Sequence, residues 1–114
     1  MVRALVLLLA QLASTPIVPE TVEIGGHRLV DLGTFECRDI TRSTVLQRVC
    51  YDHARQDLIV ASNGAYDHYC GVTAEAVEHL LGAPSMGRFF NQNIKREATS
   101  GRYACRTGGA GQRG

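Results

Sequence analysis

The run from Asp57 to Gly71, "DLIVASNGAYDHYCG", constrains the chain more than any other stretch. "DLIVAS" is apolar and rich in β-branched residues, closes on Asn63 and Gly64, and is followed at once by "AYDHYCG". An Asn-Gly pair between two such runs is the dipeptide most favoured in a tight hairpin turn. Upstream, "STVLQRVCYD" puts Val45, Val49 and Tyr51 on one strand face and gives way to a polar break from Asp52 to Gln56. Two short connections in succession require antiparallel neighbours, because a parallel pair needs a crossover of about a dozen residues. The expected unit is a three-stranded antiparallel meander.

After Gly71 the apolar period changes to that of a helix. Thr73 is placed to cap a first helix, Val72 and Val77 to staple its entrance, and Val77, Leu80 and Leu81 to form its buried stripe. Gly82 is expected to end it as a C-terminal glycine. Ser85 is placed to cap a second helix reaching to about Arg96, with Phe89, Phe90 and Ile94 on its apolar side. Gly87 would let that helix approach the sheet closely. Asn91 costs helix propensity, so it is expected to make a specific hydrogen bond. That bond either fixes the packing or joins Asn91 to Arg42, Ser43 and Tyr69 around a polar, ligand-binding groove. Before the meander, "VEIGGHRLVDL" alternates on both sides of Gly25 and Gly26, which reads as a short hairpin. The fold class is α+β: the meander followed by two helices, with an N-terminal extension tethered by a disulfide. With 114 residues there is room for one domain.

The opening "MVRALVLLLAQLASTP" has the layout of a secretory signal, and residues 1–14 are expected to be removed. The apolar run falls short of the roughly 20 residues that a membrane-spanning helix needs. No stable membrane insertion is expected once the signal is gone, and the expected location is periplasmic or secreted. Residues 15–42 then form the extension, and 106–114 form a tail with nothing to bury. Four cysteines follow the signal, Cys37, Cys50, Cys70 and Cys105, which in an exported chain read as two disulfides. Three connectivities are open. The preferred one joins Cys37 to Cys105, clasping the termini, and Cys50 to Cys70, at the same end of the meander's two outer strands. A flat meander would hold those strands about 10 Å apart, so the second bridge needs twist and a bulge at the strand ends.

Tyr51 and Asp52, the turn glycine Gly64, and the block Ser85, Gly87, Phe89, Phe90, Asn91 and Ile94, taken with the order of strands and helices, resemble the KTSC domain. The resemblance runs from Ser43 to about Lys95, within a KTSC-like unit placed at 43–105. That short domain is also found appended to some bacterial lysyl-tRNA synthetases. The cysteines in "RVCYD", "YDHYCG" and "YACR" look like an exported branch of the family. Asp67 stands where the family's Tyr-x-Tyr motif begins, Tyr69 matches its second tyrosine, and Tyr66 lies one position early on the opposite strand face. Thr73 replaces a proline common at the helix entrance. The resemblance implies no established activity, with RNA binding only a suggestion.

Cys50, His53, His68 and Cys70 have the residue types of a zinc site, but in an oxidising compartment the same cysteines pair with each other. No metal or other cofactor is expected. No carboxylate pair, activated nucleophile or phosphate loop stands at a convincing spacing, so no enzyme is expected. The net charge is +1, yet from Ser85 onward Arg88, Lys95, Arg96, Arg102, Arg106 and Arg113 face one acid, Glu97. The expected function is an exported binding or structural module for an unknown ligand or protein partner, with Arg42, Ser43, Tyr69, Arg88, Asn91, Lys95 and Arg96 as candidate binding residues. The alternative is binding of a nucleic acid or another polyanion by the basic C-terminal third, with aromatic stacking.

Overall fold

The computed structural model describes residues 20–25 and 28–105. The expected signal, 1–14, and the expected tail, 106–114, lie outside the described residues.

Six strands make one mixed sheet: β1 (Thr21–Ile24), β2 (Arg28–Asp31), β3 (Glu36–Asp39), β4 (Leu46–Asp52), β5 (Asp57–Ser62) and β6 (Ala65–Tyr69), in the order β2-β1-β6-β5-β4-β3. The expected meander is β4-β5-β6, antiparallel throughout. Asn63 and Gly64 turn it with φ of 54° and 84°, the pair of left-handed residues that matches the twist of the flanking strands. A three-stranded sheet is nevertheless too small a description, because the N-terminal extension adds to both edges of the meander. The hairpin expected at Gly25 is present as β1 and β2, and β1 joins β6 through one parallel bridge, Ile24 to Tyr66. On the other side β3 pairs antiparallel with β4. The "ECRD" of β3 has no apolar alternation, so nothing in its pattern announces a strand.

The sheet cannot be flat. From Asp31 at the end of β2 to Glu36 at the start of β3 the chain has reach for about 17 Å, whereas the outer strands of a flat six-stranded sheet lie about 24 Å apart. The sheet therefore curls, and the hairpin comes over the face remote from the helices. Consistent with this, Arg48 of β4 donates to both carboxylate oxygens of Glu20, at 2.5 and 2.8 Å, although β5 and β6 stand between β4 and β1 in the sheet order.

The curl gives the sheet a core on each face. On the helix side Leu46, Val49, Tyr51, Leu58, Val60 and Tyr69 pack with residues of the helices. A bulge between Leu46 and Arg48 lets Leu46 and Val49, three residues apart, face the same way. On the other side Val22, Ile24 and Leu32 pack with Cys50 and Ile59. Tyr66 packs against this second cluster and Tyr69 lies in the first, which confirms that they occupy opposite strand faces.

Helix α1 (Ala74–Gly82) begins as expected, with the Thr73 hydroxyl accepting from the Ala76 N–H at 3.2 Å. Its end differs from expectation. Gly82 stays inside the helix, and Ala83 is the residue that turns extended, at φ −67° and ψ 140°, the conformation that the ring of Pro84 favours in the residue before it. Ser85 then caps α2 (Met86–Phe90), accepting from the Arg88 N–H at 3.3 Å. This helix runs without a break into a π-helical turn (Asn91–Lys95) and on into α3 (Arg96–Thr99). In the π turn the Arg96 N–H reaches back to the Asn91 carbonyl. Phe90, Ile94 and Ala98 recur every fourth residue and all pack into the helix-side core. In a pure α-helix such a row would drift by about 40° per step; the wider π turn offsets that drift.

The stretch from Ser85 to Lys95 is thereby explained, with one correction. Gly87 is buried, and a Cβ there would lie 2.9 Å from Cγ2 and 3.1 Å from Cβ of Val45, so glycine permits the close approach. Asn91 is exposed. The asparagine with the anchored side chain is Asn93, whose amide donates to the Phe89 carbonyl at 3.2 Å. Gly87→Val is therefore expected to lower stability by about 1–3 kcal/mol through overpacking. Asn91→Ala should stay within about 0.5 kcal/mol of the parent, as exposed substitutions do. Urea denaturation of the two variants side by side checks both.

The disulfides also differ from the preferred pairing. Cys37 is joined to Cys50, and Cys70 to Cys105. Because β3 lies beside β4, Cys37 stands directly opposite Cys50, with Cα atoms 4.0 Å apart. A Cys50–Cys70 bridge would have to cross β5. Cys105 reaches Cys70 because the Cys70 N–H donates to the Tyr103 carbonyl at 2.9 Å, laying the segment after α3 along the end of β6.

Candidate functional site

A groove of about 410 Å³ runs along β6, between the β1–β2 hairpin and the π turn with α3. Arg28, His68, Tyr69, Lys95, Thr99 and Cys105 are among its lining residues. It exists because β1 pairs with β6 only at Tyr66 and ends there, at Ile24, so β1 does not pair with the rest of β6 toward Tyr69. Its cationic side comes from two distant places in the chain, Arg28 of the hairpin and Lys95 of the π turn.

His68 sits at the centre of a polar cluster in this groove. The Arg28 guanidinium donates to its Nδ1 at 3.0 Å, which leaves the ring proton on Nε2. Nε2 lies 3.6 Å from Oδ1 of Asp57 on β5 and 3.6 Å from the Cys70 sulfur. Burial lowers the His68 pKa, Arg28 and Arg55 push the same way, and Asp57 opposes them. The imidazole is therefore neutral at neutral pH. Burial, with Asp67 adding, pushes the Tyr69 phenol up to about 12, so it stays protonated at neutral pH.

Of the residues singled out in the sequence, the structure brings Tyr69 and Lys95 to this groove. Tyr69 is buried, its ring edge-to-face with Phe90 at 5.8 Å between centroids. The others lie elsewhere. Arg42 donates to the Leu81 carbonyl at 2.7 Å, tying the approach to β4 to the end of α1. The Ser43 hydroxyl accepts from the N–H groups of Val45 and Leu46, both at 3.1 Å. Arg88, Asn91 and Arg96 are exposed and do not line the groove. Arg102 is drawn to Glu97, at 3.8 Å. Of the histidines and cysteines weighed as a zinc set, Cys50 lies in the core and His53 pairs with Glu36 at 3.3 Å. Among the described residues the set that converges is His68, Cys70 and Cys105, within 4.8 Å of one another, with both sulfurs joined in a disulfide. Sequence reading missed Arg28 and Asp57. The available signal was the His68-x-Cys70 spacing; its partners are 40 residues upstream and on the neighbouring strand.

A second, smaller cavity of about 130 Å³ lies between β3–β4 and α1, beside Tyr51, His53 and Val77.

Residues 42–97 match the family model of the KTSC domain. The chain belongs to the KTSC domain family. Among solved structures it is similar to the crystal structure of a KTSC domain protein from Yersinia pestis, at 26% identity and a TM-score of 0.54, covering 63% of this chain and 94% of that one. No curated protein sequence matches the chain. Within the KTSC segment, Tyr51 and Asp52 have structural duties. The Tyr51 hydroxyl donates to the Val72 carbonyl at 2.6 Å, fixing the entrance to α1. The buried Asp52 carboxylate accepts from the Thr34 hydroxyl at 2.6 Å and from the N–H groups of Ala54 and Arg55 at 3.0 and 3.2 Å.

Both disulfides cross a boundary of the KTSC segment. Cys37 and Cys105 lie outside 42–97, and each is bonded to a cysteine inside it. The bridges therefore staple the two flanking additions onto the family domain.

The hydrogen bond from Thr34, with those from Arg55 and Ala54, holds the Asp52 carboxyl below the ordinary carboxylate range. A depressed folded-state pKa means that the unfolded chain binds the proton more readily. The stabilisation is thus complete above about pH 4 and is lost as pH falls through the lower, folded value. Asp52→Asn should flatten the fall in stability below about pH 4 relative to the parent, as read from urea midpoints across a pH series.

Proposed function

We propose that this KTSC protein is an exported binding module whose β6 groove takes a small organic anion, the charged head meeting Arg28 and Lys95 and the apolar part lying on Ile24 and Ala98. The observation that carries this reading is the meeting of Arg28, His68 and Lys95 at one groove. Two features support it independently of charge. Lys95 belongs to a π-helical turn, and such turns occur frequently at functional sites. His68 is a partly buried, pKa-shifted group in a cleft, the pattern that marks candidate sites. Asp67 in the same lining argues for one charged head over a polyanion. Two disulfides are compatible with the periplasmic or secreted location, and no described helix is long and apolar enough to cross a membrane.

Hexanoate, hexanol and inorganic phosphate, each tested for thermal stabilisation, separate the contributions. Hexanoate should raise the melting temperature more than either of the others. Arg28→Gln should weaken that effect by about tenfold in apparent affinity, and Lys95→Gln by about two- to fivefold, since Lys95 is exposed. Arg88→Gln and Arg96→Gln should leave it unchanged. Stabilisation by phosphate alone, abolished in the Arg88 and Arg96 variants, would favour the polyanion alternative.

A further inference from the structure

We propose that Cys70–Cys105 is an exchangeable disulfide, opened by an incoming thiolate that attacks Cys105 while Cys70 departs as a thiolate held by His68, whereas Cys37–Cys50 is an inert staple. The geometry separates the two bridges. Cys50 is fully buried in the core of the second sheet face. Cys37 is partly exposed, as Cys70 and Cys105 are. Attack on it would have to expel Cys50 as a thiolate inside that apolar core, whereas Cys105 lines the open groove and its partner Cys70 lies beside His68. With Nδ1 accepting from Arg28, the His68 proton sits on Nε2, 3.6 Å from the Cys70 sulfur. That N–H is a ready donor to a thiolate forming at Cys70, and a better-stabilised leaving sulfur departs faster. Cys105 instead lies 3.6 Å from the His68 carbonyl oxygen, which would repel negative charge building on its sulfur. The direction of cleavage follows from this asymmetry.

The chemistry balances with a dithiol protein or a small thiol as the reductant. Its thiolate forms a new S–S bond to Cys105, the Cys70–Cys105 bond breaks, and the electron pair goes to Cys70. A second thiolate of the reductant then attacks the mixed disulfide, releasing Cys105 as a thiolate. The protein disulfide gains two electrons, the reductant leaves as its disulfide, and both cysteines take protons from solvent. Opening releases Cys105 from its tether, while Tyr103 stays held by its packing in the core and by the Cys70–Tyr103 hydrogen bond. The inference does not depend on an anion occupying the groove.

The test is timed exposure of the oxidised protein to a small monothiol at neutral pH, alkylation of free thiols, and peptide mass mapping. Cys70–Cys105 should open first, with the captured thiol on Cys105 and the alkyl group on Cys70. His68→Phe should slow that opening by about tenfold relative to Cys37–Cys50 in the same molecule, the loss expected for one hydrogen bond to a charged group. His68→Gln, which keeps an N–H donor, should recover most of the rate. Using the second bridge as an internal reference removes any general loosening of the fold. Thiol capture on Cys70, equal opening of both bridges, or an unchanged ratio in His68→Phe would each overturn the proposal.

Discussion

Phe90→Ala is expected to lower the free energy of unfolding by about 3–5 kcal/mol, the usual range for deleting a buried aromatic ring. Phe90 is fully buried, sits edge-to-face with Tyr69, and begins the row continued by Ile94 and Ala98 against the sheet. A small domain is stable by only about 5–15 kcal/mol in total, so this variant should have a much lower urea midpoint. Its neighbour Phe89 is only partly buried, and Phe89→Ala should lose markedly less. Equal losses in the two variants would mean that the helix meets the sheet through a different face.

Replacing Cys70 and Cys105 together by alanine should cost about 3–4 kcal/mol, because the bridge closes a loop with a sequence separation of 35. The loss should also have a local signature. The Cys70 N–H donates to the Tyr103 carbonyl, and without the bridge that contact and the buried Tyr103 ring have to hold the segment after α3. Amide exchange at Cys70 should accelerate more than at Val49 or Val60, which lie in the middle of the sheet. Unchanged urea midpoint and unchanged exchange at Cys70 would show that the segment stays in place without its covalent tether.

The parts of this fold legible in the sequence are those governed by local chemistry. Asn63–Gly64, Thr73 and Ser85 each act through residues at most three positions away, and each does what its residue type predicts. Strand β3 was illegible because Glu36–Asp39 has a single inward residue and takes its place from pairing with β4. The pairing of Cys50 is hidden with that strand, since its partner is decided by the β3–β4 register. The π turn left no signal, because wide and regular turns draw on the same helix-forming residues. Asn91 looked anomalous for a helix interior, yet the helical phase turns it to solvent and gives the hydrogen bond to Asn93. The candidate groove was half legible: Lys95 belongs to the basic C-terminal third and Tyr69 matches the second tyrosine of the family's Tyr-x-Tyr motif, but Arg28 and Asp57 reach His68 only after the sheet has formed.

The most direct test of the proposed binding site is an NMR titration of the isotope-labelled, oxidised protein with hexanoate. Saturable shift changes should be confined to amides around Ile24, Arg28, His68, Lys95 and Thr99, and should weaken in Arg28→Gln. Changes centred on Arg88 and Arg96, or none at all up to tens of millimolar hexanoate, would contradict the assignment of the β6 groove as the binding site.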